Sequence, residues 1–257
     1  MILFACDLDN TLIHSYKRAA KEDVCVERKE DEELSFMTPK SYEALQKIAE
    51  QVEFVPTTTR SMEQYRRIKL LRNKYPKYAL VSNGGILLVN GQVDEEWLSG
   101  SKKMIQDTYS EMEKGMKALE EDGHVHYEVK LVDELFVFTK TQNVSETSKN
   151  LKYILDKERV DVLDHGKKIY IVPRLLTKGV AVKRLKDRLK KEYMICAGDS
   201  EFDVSMLKAA DLAIVPSEGF KEQFLKTHAS VVHQTLKDKG FAQLVLETVA
   251  AQVACTK

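Results

Sequence analysis

The sequence predicts an α/β fold in which a parallel sheet with helices on both faces carries a smaller inserted α+β unit. Three observations predict it. Short, wholly apolar runs alternate with helix-period segments in both outer thirds of the chain, as strands joined by crossover helices do. Between them, from about Gly84 to Pro173, extended segments alternate apolar and polar residues, the mark of an antiparallel sheet with one wet face. Finally, 257 residues of which 43% are hydrophobic suffice for one large domain bearing a smaller one.

Taken in order, Ile2–Cys6 is too short for a helix and uniformly apolar, so it reads as a buried strand. The charged run from Tyr16 to Leu34 includes a hairpin-like alternation, with Val24 and Val26 set against Cys25 and Glu27. Mixed charge of this kind marks a solvated face, and no catalytic role is assigned to it. Ser41–Gln51 places Tyr42, Leu45, Ile48 and Ala49 on one helical face; Val52–Val55 and Tyr78–Val81 are further strands. In the middle section Ser101–Glu121 and Val144–Glu158 read as helices. Tyr127–Leu131, Leu135–Thr139 and Lys168–Val172 read as strands. Lys178–Lys190 returns to helix through Val182, Leu185 and Leu189, and Met194–Ala197, Leu212–Val215 and Val231–Val232 complete the sheet. The pattern gives a Rossmann-like core over 1–83 and 174–257, with an inserted domain over 84–173.

Composition narrows function. Forty Lys and Arg balance forty Asp and Glu, which excludes a protein that binds nucleic acid or anionic lipid by bulk charge. No segment approaches the roughly 18 apolar residues of a membrane span, and the N-terminus meets acids too early for a signal peptide. The expectation is a cytoplasmic monomer or homodimer. Cys6, Cys25, Cys196 and Cys255 are too scattered for a CxxC pair; Cys6 and Cys196 read as buried hydrophobes and Cys255 as part of a frayed tail.

The first strand ends in Asp7-Leu8-Asp9-Asn10-Thr11, which puts two carboxylates where open α/β sheets place their ligands. Alone, such a pair reads more readily as an acidic turn. A second acidic cluster, Gly198-Asp199-Ser200-Glu201-Phe202-Asp203, directly follows the strand Met194–Ala197. Carboxylates from two strand ends form a hard oxygen cage suited to Mg²⁺. Thr57-Thr58-Thr59-Arg60 at another strand end, and Lys178-Gly179 opening a helix, add the donors and positive charge a phosphoryl group needs.

In this order the set resembles the haloacid dehalogenase (HAD) superfamily, with its DxDxT motif, strand-end Ser or Thr, Lys, and GDxxxD-type cluster. The insertion resembles the C2 type of cap found in Cof-like and sugar-phosphate phosphatases. Thr58-Thr59-Arg60 stands where Thr-Gly-Arg is usual, and GDSEFD where GDSxND is frequent. The resemblance implies that Asp7 is the nucleophile, forming an aspartyl-phosphate, and that Asp9 is general acid and then general base. It implies that Mg²⁺ is held by Asp7, the Asp9 carbonyl and Asp199, with Asp203 bracing the metal's surroundings. Thr58, counted back from Arg60 among three consecutive threonines, would donate to the phosphoryl group, and Lys178 would pair with Asp7. Asn83 and Arg60 are candidate substrate contacts. His124, His126 and Arg174 carry no such implication, and Trp97 reads as a packing anchor.

The resulting expectation is a Mg²⁺-dependent phosphomonoester hydrolase acting on a small phosphorylated metabolite, with sugar phosphates favoured. A phosphomutase of the same superfamily would use the same carboxylates. A phospho-acceptor signalling protein without turnover would share the phosphorylated Asp, hydroxyl and Lys but lacks an inserted unit.

Overall fold

The structure, a computed structural model, describes residues 2–72, 74–216, 231–234 and 240–255. Two compact units divide the chain: residues 1–94 with 178–257, and Glu95–Thr177.

The first unit is built on a five-stranded parallel sheet. Strand β1 (Leu3–Cys6) is flanked on one side by the edge strand β5 (Glu53–Pro56) and on the other by β13 (Met194–Ala197), β14 (Leu212–Pro216) and β15 (Val231–Gln234), which makes β13 the central strand. Every side chain of β1 and β13 is buried, which is why both read as continuous apolar runs. The register sets up the site, because Cys6 lies opposite both Pro56 and Ala197. Asp7, Thr57 and Gly198 therefore leave the sheet level with one another at its carboxyl edge. Helix α1 (Pro39–Ile48) starts at Thr38, whose hydroxyl accepts from the Ser41 N–H, and carries Pro39 in its first turn, where the missing N–H costs nothing. A short helix α2 (Met62–Arg66) follows β5, and farther along the chain helix α6 (Lys178–Arg188) packs on α7 (Val204–Ala209), and α7 in turn on β13 and β14.

Two antiparallel sheets decorate this unit. In one, β2 (His14–Ser15) and β3 (Val24–Lys29) flank β4 (Glu32–Met37), so the charged run does form a hairpin. In the other, β6 (Tyr78–Val81), β7 (Ile86–Val89) and β8 (Gln92–Val93) form a meander. Tyr78–Val81 is thus a strand, but it heads its own sheet and touches the parallel one through a Thr57–Leu80 bridge. Because β7 and β8 pair with β6, the first unit runs to Asp94 and resumes at Lys178, rather than breaking at 83/84 and 173/174.

The second unit has helices α3 (Glu95–Met104), α4 (Tyr109–Glu120) and α5 (Val144–Ile154), and a sheet ordered β11 (Val160–His165), β12 (Lys168–Pro173), β10 (Phe136–Lys140), β9 (Lys130–Val132), antiparallel throughout. Met112 and Leu119 of α4 and Leu151 of α5 pack against Val137, Val162, Ile169 and Ile171 of the sheet. Trp97 is buried in α3.

Several local expectations change. The single helix expected over Ser101–Glu121 is two, because the Thr108 hydroxyl and N–H both donate to the Ile105 carbonyl and close a tight turn there. The strand expected over Tyr127–Leu131 is reduced to Lys130–Val132, since the Thr139 hydroxyl sits on the Tyr127 and Glu128 carbonyls in place of ladder bonds. Cys255 does not lie in a frayed tail. It ends α8 (Gly240–Cys255), a 16-residue helix burying Phe241, Val245, Leu246, Val249 and Val253 and packed on α1. The described residues include no helix long and apolar enough to cross a membrane.

Candidate active site

Asp7 is the first residue past β1; its N–H still donates to the Ala197 carbonyl, which fixes its backbone to the neighbouring strand. The chain then turns at once: Asn10 has φ +60°, a left-handed conformation that Asn tolerates, and the N–H groups of Thr11, Leu12 and Ile13 converge on the Leu8 carbonyl. That turn brings the Thr11 hydroxyl within 3.5 Å of Asp7 Oδ2 and 3.2 Å of Asp199 Oδ1.

Lys178 reaches the same point from the first turn of α6. Its Nζ donates to Asp7 Oδ1 at 2.5 Å and Asp203 Oδ1 at 2.6 Å, and the side chain is 1% exposed. A cation at a helix N-terminus opposes the helix dipole, and here two carboxylates offset it. Burial alone would push Lys178 down, but Asp203 and Asp7 together carry it above its ordinary value, so it stays charged. Asp203 Oδ2 accepts from the Asp199 N–H (3.2 Å), the Ser200 N–H (3.0 Å) and the Ser200 hydroxyl (2.9 Å), so both its oxygens are engaged.

Two glycines allow this closeness. A Cβ on Gly179 would stand 2.3 Å from the Ser205 carbonyl oxygen, and one on Gly198 would stand 2.4 Å from Asp203 Cβ. Any side chain at either position would separate α6 from α7, or Asp203 from the strand end.

Asp7, Asp199 and Asp203 each offer an oxygen within 4.8 Å of the others. Burial pushes the Asp7 carboxyl well above its usual range against the pull of Lys178. Burial and then Asp203 push Asp199 up to about 6. Among the described residues, three carboxylates here face one ammonium, and Asp7 Oδ2 and Asp199 Oδ1 share one hydroxyl proton from Thr11. This surplus of hard, clustered negative charge fits a divalent cation.

Asp9 points elsewhere. Both its oxygens accept from Arg60, Oδ2 from Nε and Oδ1 from Nη2, each at 2.7 Å, while Arg60 Nη1 lies 2.8 Å from Glu27 Oε2. Arg60 is thus engaged with two carboxylates of its own unit. Thr58 is fully buried, and its hydroxyl oxygen accepts from the Arg60 N–H at 3.2 Å, which leaves the hydroxyl proton free to donate. Thr57, by contrast, directs its hydroxyl to the Val55 carbonyl. Asn83 is buried at φ +57° between Ser82 (φ +52°) and Gly84 (φ +88°). The Ser82 and Asn83 N–H groups donate to the Arg60 and Thr58 carbonyls, so this turn braces the Thr58–Arg60 loop.

The model for haloacid dehalogenase-like hydrolases matches residues 4–245. The chain belongs to this family. No curated protein matches it. Similar solved structures include the sucrose-phosphatase of Synechocystis sp. PCC6803 with sucrose and phosphate (13% identity, 97% of this chain and 98% of that one, TM-score 0.62). A HAD subclass IIB sugar phosphatase (13%, 96% and 99%, 0.60) and the trehalose-6-phosphate phosphatase of Aspergillus fumigatus (14%, 98% and 92%, 0.56) are similar too. At such identities these likenesses establish the fold.

As a HAD-like hydrolase the chain is an enzyme. Three polar participants, Thr11, Ser200 and Glu27, escaped sequence reasoning. Thr11 and Ser200 lie within quoted motifs and were legible as short-range partners. Glu27 carried no signal, because a β-bulge between Cys25 and Arg28 turns it inward beside Val26 where strict alternation points it out. Outside this site, His124 pairs with Glu146, and Arg174 lies 3.8 Å from both Glu158 and Asp161.

Proposed function

We propose that this HAD-like hydrolase is a Mg²⁺-dependent phosphomonoesterase acting on a small phosphorylated metabolite, a sugar phosphate in preference, through an aspartyl-phosphate. The observation that carries the reading is the buried Asp7 carboxylate at the sheet's carboxyl edge, held by Lys178 beside Asp199 and Asp203. The sugar-phosphatase identities of the fold neighbours support the substrate class.

Asp7, the Asp9 carbonyl and Asp199 would hold Mg²⁺, with Asp203 orienting Lys178 and the Gly198–Ser200 turn around them. When bound, the ion supplies the charge that lets an anionic carboxylate approach an anionic phosphate. Asp7 Oδ attacks phosphorus; the new O–P bond forms as the bond to the leaving oxygen breaks. Asp9, with one oxygen released from the Arg60 fork and protonated, gives the leaving oxygen its proton, then takes one from the water that attacks the aspartyl-phosphate, and free phosphate departs while Asp7 is regenerated. Lys178 keeps Asp7 ionised and oriented, and the Thr58 hydroxyl donates to the phosphoryl oxygens as charge builds on them.

The test is a screen of sugar phosphates for phosphate release in Mg²⁺, with Asp7→Asn alongside. The expected result is release by the native chain and none by a folded Asp7→Asn; turnover retained in that variant would end the nucleophile assignment.

A further inference from the structure

The hairpin of β3 and β4, given no role from sequence, contributes a buried carboxylate that the chemistry above leaves unused. Glu27 is 2% exposed and accepts from three groups. Arg60 Nη1 lies 2.8 Å from Oε2, the Ser35 hydroxyl donates to Oε2 at 2.6 Å, and Arg67 Nη2 lies 3.4 Å from Oε1. Arg60 Nη2 also lies 3.4 Å from Ser35 Oγ, and the remaining fork, Nε and Nη2, grips both oxygens of Asp9. A guanidinium is planar and rigid, so fixing one edge fixes the direction of the opposite edge. Two carboxylates and two guanidinium groups balance here around the buried Glu27, with Asp9 half exposed at the outer end; geometry rather than net charge is what the frame adds.

We infer that Glu27 is a positioning residue for the reaction: through Arg60 it sets where the Asp9 carboxyl stands relative to the leaving oxygen. The inference rests on the phosphatase reading and extends it to a hairpin outside all four motifs. Without Glu27 the Arg60 edge facing the hairpin loses its anchor, the fork can rotate, and Asp9 rotates with it. Asp7, Lys178, Asp199 and Asp203 share none of the hydrogen bonds of this frame, and the Thr58 hydroxyl meets only the Arg60 backbone N–H and not its guanidinium, so loosening the guanidinium leaves the groups that act on phosphorus in place. The loss falls on proton delivery alone.

That separation is measurable with substituted phenyl phosphates. The kcat/KM value reports the first phosphoryl transfer, in which acidic phenols leave unaided and weakly acidic ones require a proton. For Glu27→Gln, which keeps size and shape, kcat/KM for phenyl phosphate should fall on the order of 10- to 100-fold, as a misplaced catalytic group does. Dinitrophenyl phosphate should change by less than about twofold, since it draws little on general acid catalysis. The plot of log kcat/KM against phenol pKa therefore steepens. Ser35→Ala, which removes the 2.6 Å bond to Glu27 and the 3.4 Å contact with Arg60 Nη2 but leaves the Glu27–Arg60 pair, should steepen it in the same direction by less, and it decides the matter if Glu27→Gln does not fold by circular dichroism. An equal fall across the series, or an unchanged slope, would overturn the inference and leave the phosphatase reading standing. A native chain that releases phosphate from neither sugar phosphates nor phenyl phosphates would overturn both.

Discussion

Replacing Lys178 with Met removes the one ammonium shared by Asp7 and Asp203 while keeping most of the aliphatic volume. The side chains of Lys178, Asp7 and Asp203 are 1%, 8% and 0% exposed, so water cannot take its place. Breaking a buried pair in this way costs about 3–5 kcal/mol, because the surviving carboxylates lose their compensation. That is a large share of the roughly 5–15 kcal/mol by which folded proteins are stable. Against a urea slope of about 3 kcal/mol/M, the midpoint should drop by roughly 1–1.7 M.

The sign of the pH dependence follows from Asp7. Burial already pushes its carboxyl above the ordinary range, with Lys178 as the principal opposing charge, and losing Lys178 raises it further. A carboxyl raised in the folded state binds a proton that the unfolded chain does not. The penalty is therefore full above the raised value and fades as pH falls toward the unfolded value of about 3.9. Urea denaturation of both proteins in EDTA, followed by circular dichroism at pH 7 and pH 5, should show a deficit for Lys178→Met that narrows at pH 5. An unchanged midpoint at pH 7, or a deficit that widens on acidification, would refute the electrostatic account of this cluster.

Chelation with EDTA should stop phosphate release and added MgCl₂ should restore it; metal-independent turnover contradicts the carboxylate cage. Gly179→Ala must open the 2.3 Å approach to the Ser205 oxygen to at least 3.0 Å, a shift of 0.7 Å at the residue next to Lys178. Turnover in a variant that still folds should drop by on the order of 10-fold or more, as sub-ångström misplacement of a reacting group does, and steady-state kinetics showing full kcat would contradict it. Thr58→Val keeps the shape but deletes the hydroxyl, so kcat should fall about 10²-fold with little change in thermal midpoint, as loss of a single oxyanion donor does. A fall below tenfold would shift the donor role to another group.

The fold was legible wherever one physical pattern dominated. The strands at Leu3–Cys6 and Met194–Ala197 are buried at every position and could only read as apolar runs. Two of the failures share a cause: a side chain replaced a backbone bond that the pattern assumes. Thr108 broke one helix and Thr139 shortened one strand, and neither residue looks unusual in sequence. Cys255 misled differently, since α8 is apolar around much of its circumference and lacks the sharp polar face that marks a surface helix.

At the site, sequence singled out Asp7, Asp9, Thr58, Arg60, Asn83, Lys178, Asp199 and Asp203, because each is a polar residue at the end of an apolar strand or the start of a helix. It could not say which of them touch. Lys178 and Asp7 lie 171 residues apart, and their meeting depends on the parallel register and on two glycines that let α6 and Asp203 close in. Nor could it say what holds the Asp9 carboxylate, which the structure ties to Arg60 and, through Arg60, to Glu27. Local pattern fixes which residues have the right chemistry, because strand and helix periods are properties of neighbouring residues. Partnership between charges is a property of distances across the fold, and only the folded chain decides it.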